Sequence, residues 1–205
     1  MMDYVVMSIR PSKEEGMLTL VLRPTIPVED GEKKLRLTET VYAEGGSPLV
    51  GELVYGKTME FFVASVERRE SVKSALRLLG YSDKSQRALK QMLIQRGYAP
   101  DVAMEAVEEA VRLGYLNEKR AVECAVRHMV EKKHYGARRI LPALLQKGYA
   151  KPLVREVILS LVKQGEINFK DAFRALLIKK KVHEIADERE RKEKIQKLAY
   201  QYGFK

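Results

Sequence analysis

The chain has 205 residues, 45% of them hydrophobic and 32% charged, and carries a net charge of +10 at pH 7. This supports one large or two small domains, with no apolar run long enough to cross a bilayer. The single cysteine, Cys124, excludes an internal disulfide framework and a zinc site built from several cysteines.

The charge is unevenly spread. Residues 1–65 hold 7 basic and 10 acidic groups, 66–118 hold 9 and 8, 119–159 hold 10 and 3, and 160–205 hold 12 and 7. The cationic character therefore lies beyond residue 118, and a polyanion or an acidic protein surface is the matching partner class. The opening Met-Met-Asp-Tyr-Val lacks the charged and apolar regions of a secretory signal, so a cytoplasmic location without membrane attachment is expected.

Period-two alternation opens the chain. Val5, Met7 and Ile9, then Leu18, Leu20 and Leu22 across the Lys13–Gly16 turn, predict a hairpin. Turn residues between Pro24 and Gly31, including Pro27, Glu29 and Asp30, precede a third predicted strand through Leu35, Leu37 and Val41. So small a sheet needs a covering element. The run Glu44-Gly45-Gly46-Ser47-Pro48 is the expected boundary.

Beyond it the period becomes helical. Apolar positions from Phe61 to Leu79 are interrupted by Glu67-Arg68-Arg69-Glu70, which predicts a linking helix followed by a separate first helix of a repeat. A shift of 51 residues then superposes Gly97, Tyr98, Ala99, Glu105, Val111, Gly114 and Asn117 on Gly148, Tyr149, Ala150, Glu156, Val162, Gly165 and Asn168, seven identities in 21 positions. Such self-similarity indicates a repeat architecture.

Each repeat is predicted to hold three helices, punctuated by the glycines and by Pro100 or Pro152 near the start of the third. Asn117 and Asn168 are predicted caps, with Glu118 and Asp171 in the turns that follow. Asp187–Lys194, eight charges in a row, predicts a solvated helix with Asp187–Arg191 and Glu190–Lys194 pairs. Ile195, Ala199 and Gly203 then repeat Ile140, Leu144 and Gly148 at an offset of 55.

The expected fold class is mainly α, with tandem three-helix repeats in an elongated arrangement behind a small N-terminal antiparallel sheet. The expected units are a β unit at 1–45, a linker and connecting helix at 46–70, repeats at 71–116 and 117–167, and an incomplete third at 168–205.

The stretch Glu131–Tyr149 organises the functional reading. Pro142 is tolerable if its helix begins near Arg138, within about a turn. Arg138 and Arg139 then stand at the positive end of a helix, where an anion would be held by guanidinium groups and free backbone donors together. Lys132, Lys133, Arg138 and Arg139 are thus candidate contacts to phosphate or carboxylate. Tyr98, Tyr115 and Tyr149, after capping glycines, are expected to pack on their own helices, whereas Tyr135 in the basic turn is the best candidate to stack on a base. Cys124 and His128 share a helix face without a third ligand, and no nucleophile–base pair or phosphate-binding loop is present, so neither metal, cofactor nor enzymatic activity is expected.

Three segments resemble the bacterial RecX family: Ala75–Leu79 with Ser82–Ser85, Gly114–Ala121, and Lys133–Ile140 with Leu144 and Lys147–Tyr149. The resemblance covers residues 48–204 in family order. Tyr81–Ser85 stands where the family has an arginine- and proline-containing motif, and Val122 stands where it has phenylalanine. What the resemblance implies is a non-enzymatic modulator of the RecA recombinase, acting in DNA repair, recombination and the SOS response; a monomer is expected. Such a protein lies in the groove of the RecA filament on single- or double-stranded DNA. It limits filament extension, ATP hydrolysis, strand exchange and coprotease activity. Resemblance and charge together assign the binding face to Lys84, Arg87, Lys90, Arg127, Lys132, Lys133, His134, Tyr135, Arg138, Arg139 and Lys147. A helical module that binds DNA directly and a helical scaffold for another acidic protein remain alternatives.

Overall fold

The computed structural model describes residues 2–26 and 31–204. Strands β1 (Tyr4–Pro11), β2 (Met17–Pro24), β3 (Lys33–Thr38) and β4 (Leu53–Val54) form an antiparallel sheet in the order β3-β2-β1-β4. The predicted turn at Pro27, Glu29 and Asp30 lies outside the described residues. Two corrections concern the sheet. Val41 is not in a strand, because Thr38 closes β3 and accepts the Val41 N–H at 3.2 Å, starting helix α1 (Glu39–Glu44). The fourth strand lies beyond the Gly45-Gly46 run, so the sheet's core continues past the expected boundary.

That core contains Val6, Leu20, Leu22 and Leu37 from the sheet, Val54 from β4, and Met59 and Phe62 from helix α2 (Gly56–Tyr81). Phe62 is completely buried, and a Cβ on Gly45 would overlap its ring. Helix α2 thus supplies the cover that so small a sheet needs.

The predicted break in this region does not occur. α2 runs unbroken for 26 residues, burying Met59 and Phe62 in its first half and Ser71, Ser74, Ala75 and Leu78 in its second. At about 100° per residue these two faces lie roughly 140° apart around the axis. The apolar stripe therefore changes side, which in sequence looks like an interruption. Residues of the charged cluster and just beyond it serve both sides. Arg68 pairs with Glu105 at 2.9 Å, while Arg69 donates to the Met17 Sδ and Lys73 meets Glu14 at 3.5 Å.

The second half of α2 packs with α3 (Gln86–Gln95) and α4 (Pro100–Arg112) around Leu89, Leu93, Ala106 and Val107. Helices α5 (Glu118–Glu131), α6 (Ala137–Gln146) and α7 (Lys151–Lys163) enclose a second core around Val126, Ile140, Leu144 and Leu161. Helix α8 (Phe169–Lys179), a 3-10 turn (Val182–Glu184) and α9 (Glu188–Tyr202) share a third around Leu176, Val182 and Leu198.

The caps follow the predicted chemistry. Asn117 accepts from the Arg120 N–H, and Asn168 from those of Lys170 and Asp171. Asp187 caps α9 by accepting from the Glu190 N–H, so the predicted Asp187–Arg191 and Glu190–Lys194 pairs give way to Glu188–Lys192 and Arg189–Glu193. The molecule exposes 13369 Å², about a third more than the roughly 9,800 Å² of a compact monomer of this mass. The elongated, mainly helical fold expected from the sequence is therefore the observed one.

Candidate partner-binding face

The second helices of the three helical units, α3, α6 and α9, stand head to tail. Each ends in the same way. Gly97, Gly148 and Gly203 are left-handed, and the N–H of the next residue reaches back to the carbonyl of Leu93, Leu144 or Ala199. This cap leaves the last carbonyls pointing outward, and two of the three helix ends place them on the start of another helix.

At the first junction the end of α6 meets the start of α3. The buried Ser85 hydroxyl donates to the Lys147 carbonyl at 2.7 Å and accepts from the Ala88 N–H at 3.1 Å. At the second junction α9 meets α6. The Gly136 N–H donates to the Tyr202 carbonyl at 2.7 Å, the Arg138 N–H to the Gly203 carbonyl at 3.1 Å, and the Arg139 guanidinium to the Gln201 carbonyl at 2.6 Å. The negative end of each helix dipole thus satisfies the positive end of the next.

This arrangement corrects the expected anion site. The Gly136, Arg138 and Arg139 N–H groups at the start of α6 are engaged by peptide carbonyls, and the Arg139 side chain is committed to the junction, with its guanidinium 4.3 Å from the centre of the Tyr135 ring and 5.4 Å from that of Tyr202. Tyr135, covered by Arg139 and edge-on to Tyr202, is not available to stack on a base. Helix α6 begins one residue before the expected Arg138, so Pro142 falls in its second turn and costs it one backbone hydrogen bond.

The remaining predicted residues divide into two sets. Arg127 is tied down by Glu166 at 2.6 Å and Glu123 at 3.7 Å, and the Glu166 carboxylate holds its pKa above the ordinary value, which removes it from the free cations. Lys84 folds back onto the Ser82 hydroxyl at 2.7 Å. His134 follows α5 in a left-handed conformation (φ 52°). Its Nδ1 is buried without a hydrogen-bond partner among the described residues, and burial, helped by the Lys179 charge, lowers its pKa.

By contrast Arg87, Lys90, Lys132, Lys133, Arg138 and Lys147 make no ion pair among the described residues. The junctions gather several of them. A Cβ on Gly148 would lie 3.6 Å from that of Arg87, so Lys147 and Arg87 flank the first junction. Arg138 stands at the second, beside the turn that carries Lys132 and Lys133. Arg87 and Arg138 are the same position of successive repeats. They are separated along the column by at least the length of α6, roughly 15 Å from the helical rise.

Tyr149 is buried and Tyr98 packs on its repeat, as expected from their place after capping glycines, whereas Tyr115 is exposed. The reading from sequence missed Arg155, a further cation without an ion pair among the described residues, and Phe204, whose ring packs 4.8 Å from Phe173. Small residues at both receiving helix starts, Ser85 and Gly136, were the available sign of close approach. Among the described residues, no group of three or more acidic, histidine or cysteine side chains could hold a metal, and no helix is long and apolar enough to span a membrane.

Residues 73–109 match the family model for the first three-helix domain of RecX. A Regulatory protein RecX from Caldanaerobacter subterraneus subsp. tengcongensis is 24% identical over 155 residues, covering 75% of this chain and 74% of that protein. Another, from Halorhodospira halophila, is 36% identical over 85 residues, covering 42% of this chain and 52% of the relative, about half its length. A crystal structure of regulatory protein RecX superposes with a TM-score of 0.73 at 15% identity, over 98% of this chain and 95% of that one, and shows the same fold. In sequence over part of its length and in fold over nearly all of it, the chain is similar to RecX regulatory proteins.

Proposed function

We propose that this protein is a non-enzymatic negative regulator of the RecA recombinase. It lies along the groove of the RecA–DNA filament and limits filament extension, ATP hydrolysis, strand exchange and coprotease activity. The observation that supports this reading most directly is the recurrence of unpaired cations, Arg87 and Arg138, at one position of successive repeats along a column of aligned helices. Two cations placed alike on successive repeats suit a partner that is itself periodic and anionic. Lys90, Lys132, Lys133 and Lys147 add to the same face, and Lys84 lies beside it. Arg127, Tyr135 and Arg139 act in this reading as supports for the face.

The test is to add the full chain to RecA on single-stranded DNA while measuring ATP hydrolysis and filament length, with binding to naked DNA measured alongside. Inhibition at sub-stoichiometric protein, weakened at least tenfold by the double variant Arg87→Glu, Arg138→Glu, is the expected result. Strong, steeply salt-dependent DNA binding without effect on RecA would replace this reading with a direct DNA-binding module. Absence of both effects would leave a scaffold for another acidic protein.

A further inference from the structure

Between α6 and α7 runs an open groove of about 340 Å³, lined by Ala137, Arg138, Leu141, Arg155, Ile158 and Leu159. This is near the lower end of the roughly 300–1,000 Å³ of sites that enclose small ligands. Its floor is aliphatic, and the only charged side chains lining it are the two arginines. Leu159 is 70% exposed, and Arg155, Leu159 and the exposed Val162 form an i, i+4, i+7 stripe along α7. Neither guanidinium has an ion-pair or hydrogen-bond partner among the described residues.

Repeat one provides an internal control. At the shift of 51 residues, Leu141 and Leu159 correspond to Lys90 and Glu108, and Arg155 to Met104. The first three-helix unit carries a half-buried lysine and an exposed glutamate at the two corresponding positions, so the repeat fold does not require leucine there. An exposed leucine opposite another, with an arginine from each helix alongside, is a feature of repeat two alone.

We infer that this groove is a docking site for an acidic segment of a partner protein, one in which one or two leucine-like side chains are flanked by carboxylates. The aliphatic floor takes the side chains, while Arg138 and Arg155 each offer a planar donor fork to a carboxylate. The net excess of seven positive charges over residues 119–159 favours the approach of such a segment. A nucleic-acid backbone would satisfy the arginines but leave Leu159 in water. The groove is open along its length, so the segment's backbone stays at the surface while its side chains enter. This inference rests on the proposed reading that the repeats bind a protein, and its test omits RecA so that the two can fail separately.

The probe is a fluorescein-labelled, acetylated peptide Asp-Glu-Leu-Leu-Glu-Asp, titrated with the full chain and followed by fluorescence polarisation. Saturable binding is expected, with a dissociation constant at least tenfold weaker for Leu159→Glu, for Arg155→Glu, and for the peptide carrying serines in place of both leucines. Leu159→Glu copies Glu108 of repeat one at an exposed position, and its circular dichroism spectrum should match the parent. Methyl resonances of Leu141 and Ile158 should move on titration while those of Leu89 and Leu93 do not. Equal binding of the serine peptide, an undiminished affinity in Leu159→Glu, or no saturation at millimolar protein would each overturn the assignment.

Discussion

The two junctions of the helical column solve one problem with different groups. At the first, the Ser85 side chain mediates, its hydroxyl serving both its own helix start and the Lys147 carbonyl. At the second no side chain intervenes at the cap. Gly136 brings backbone to backbone, and a Cβ there would overlap the Gly203 carbonyl. The first junction therefore depends on a replaceable side-chain hydrogen bond, whereas the second, held by backbone hydrogen bonds and Arg139, also requires that Gly136 carry no Cβ against the Gly203 backbone. Loss of a hydrogen bond costs about 1 kcal/mol, but a steric overlap between two backbones cannot be relieved without moving a helix.

The largest effect that breaks this comparison is expected from Gly136→Ala. The backbone there is extended (φ −82°), so alanine is conformationally permitted and only the contact opposes it. A loss of about 3 kcal/mol in urea denaturation is expected, with fast amide exchange through α9; a loss below about 1 kcal/mol would mean the junction yields. Ser85→Ala should cost less, about 1–2 kcal/mol, because it removes a cap and leaves a carbonyl unpaired without forcing anything apart. Equal losses from both substitutions would erase the distinction.

Arg139→Ala and Arg138→Ala sharpen the second junction. The former removes a donor to Gln201 and the cation over two tyrosine rings, for an expected loss of about 1 kcal/mol. The latter side chain has no ion-pair or hydrogen-bond partner among the described residues, and its loss should change stability by less than about 0.5 kcal/mol. Chemical denaturation of both variants decides, and a reversed order would mean that the anchoring arginine is Arg138.

The smallest effect concerns pH. His134 precedes the Gly136 cap, and its folded pKa lies below the ordinary value of 6.5 because the charged form is disfavoured by burial and by Lys179. Between its folded and unfolded pKa values the unfolded chain binds more protons, so its contribution to stability is present above about pH 6.5 and is lost as pH falls. Denaturation series should show this slope in the parent and a shallower one in His134→Asn, since asparagine tolerates the left-handed backbone. An unchanged slope would assign the pH response elsewhere.

Much of the fold was legible because its signals are local. Asn117, Asn168 and the capping glycines mark helix ends by their own backbone chemistry, and the 51-residue register carried those marks from one repeat to the next. The continuity of α2 was hidden because its two halves bury different faces, and a stripe that changes side resembles a break. Val41 followed the strand alternation but was claimed by the Thr38 cap. In the candidate face, sequence identified which cations exist but not which are spent. Arg127 and Arg139 look like Arg138 until Glu166 and the end of α9 are placed beside them. Those partners are 39 and 62 residues away, beyond the reach of periodicity.

Helix α2 also has a consequence for how the two parts of the molecule are aimed. One unbroken rod about 39 Å long carries the sheet on one flank and the first repeat on another, so their relative bearing is a matter of helical phase. Adding a single residue between Phe62 and Ser71 would swing the sheet by about 100° about that rod while lengthening it by only about 1.5 Å. In this chain the count of residues in one helix sets a compass heading.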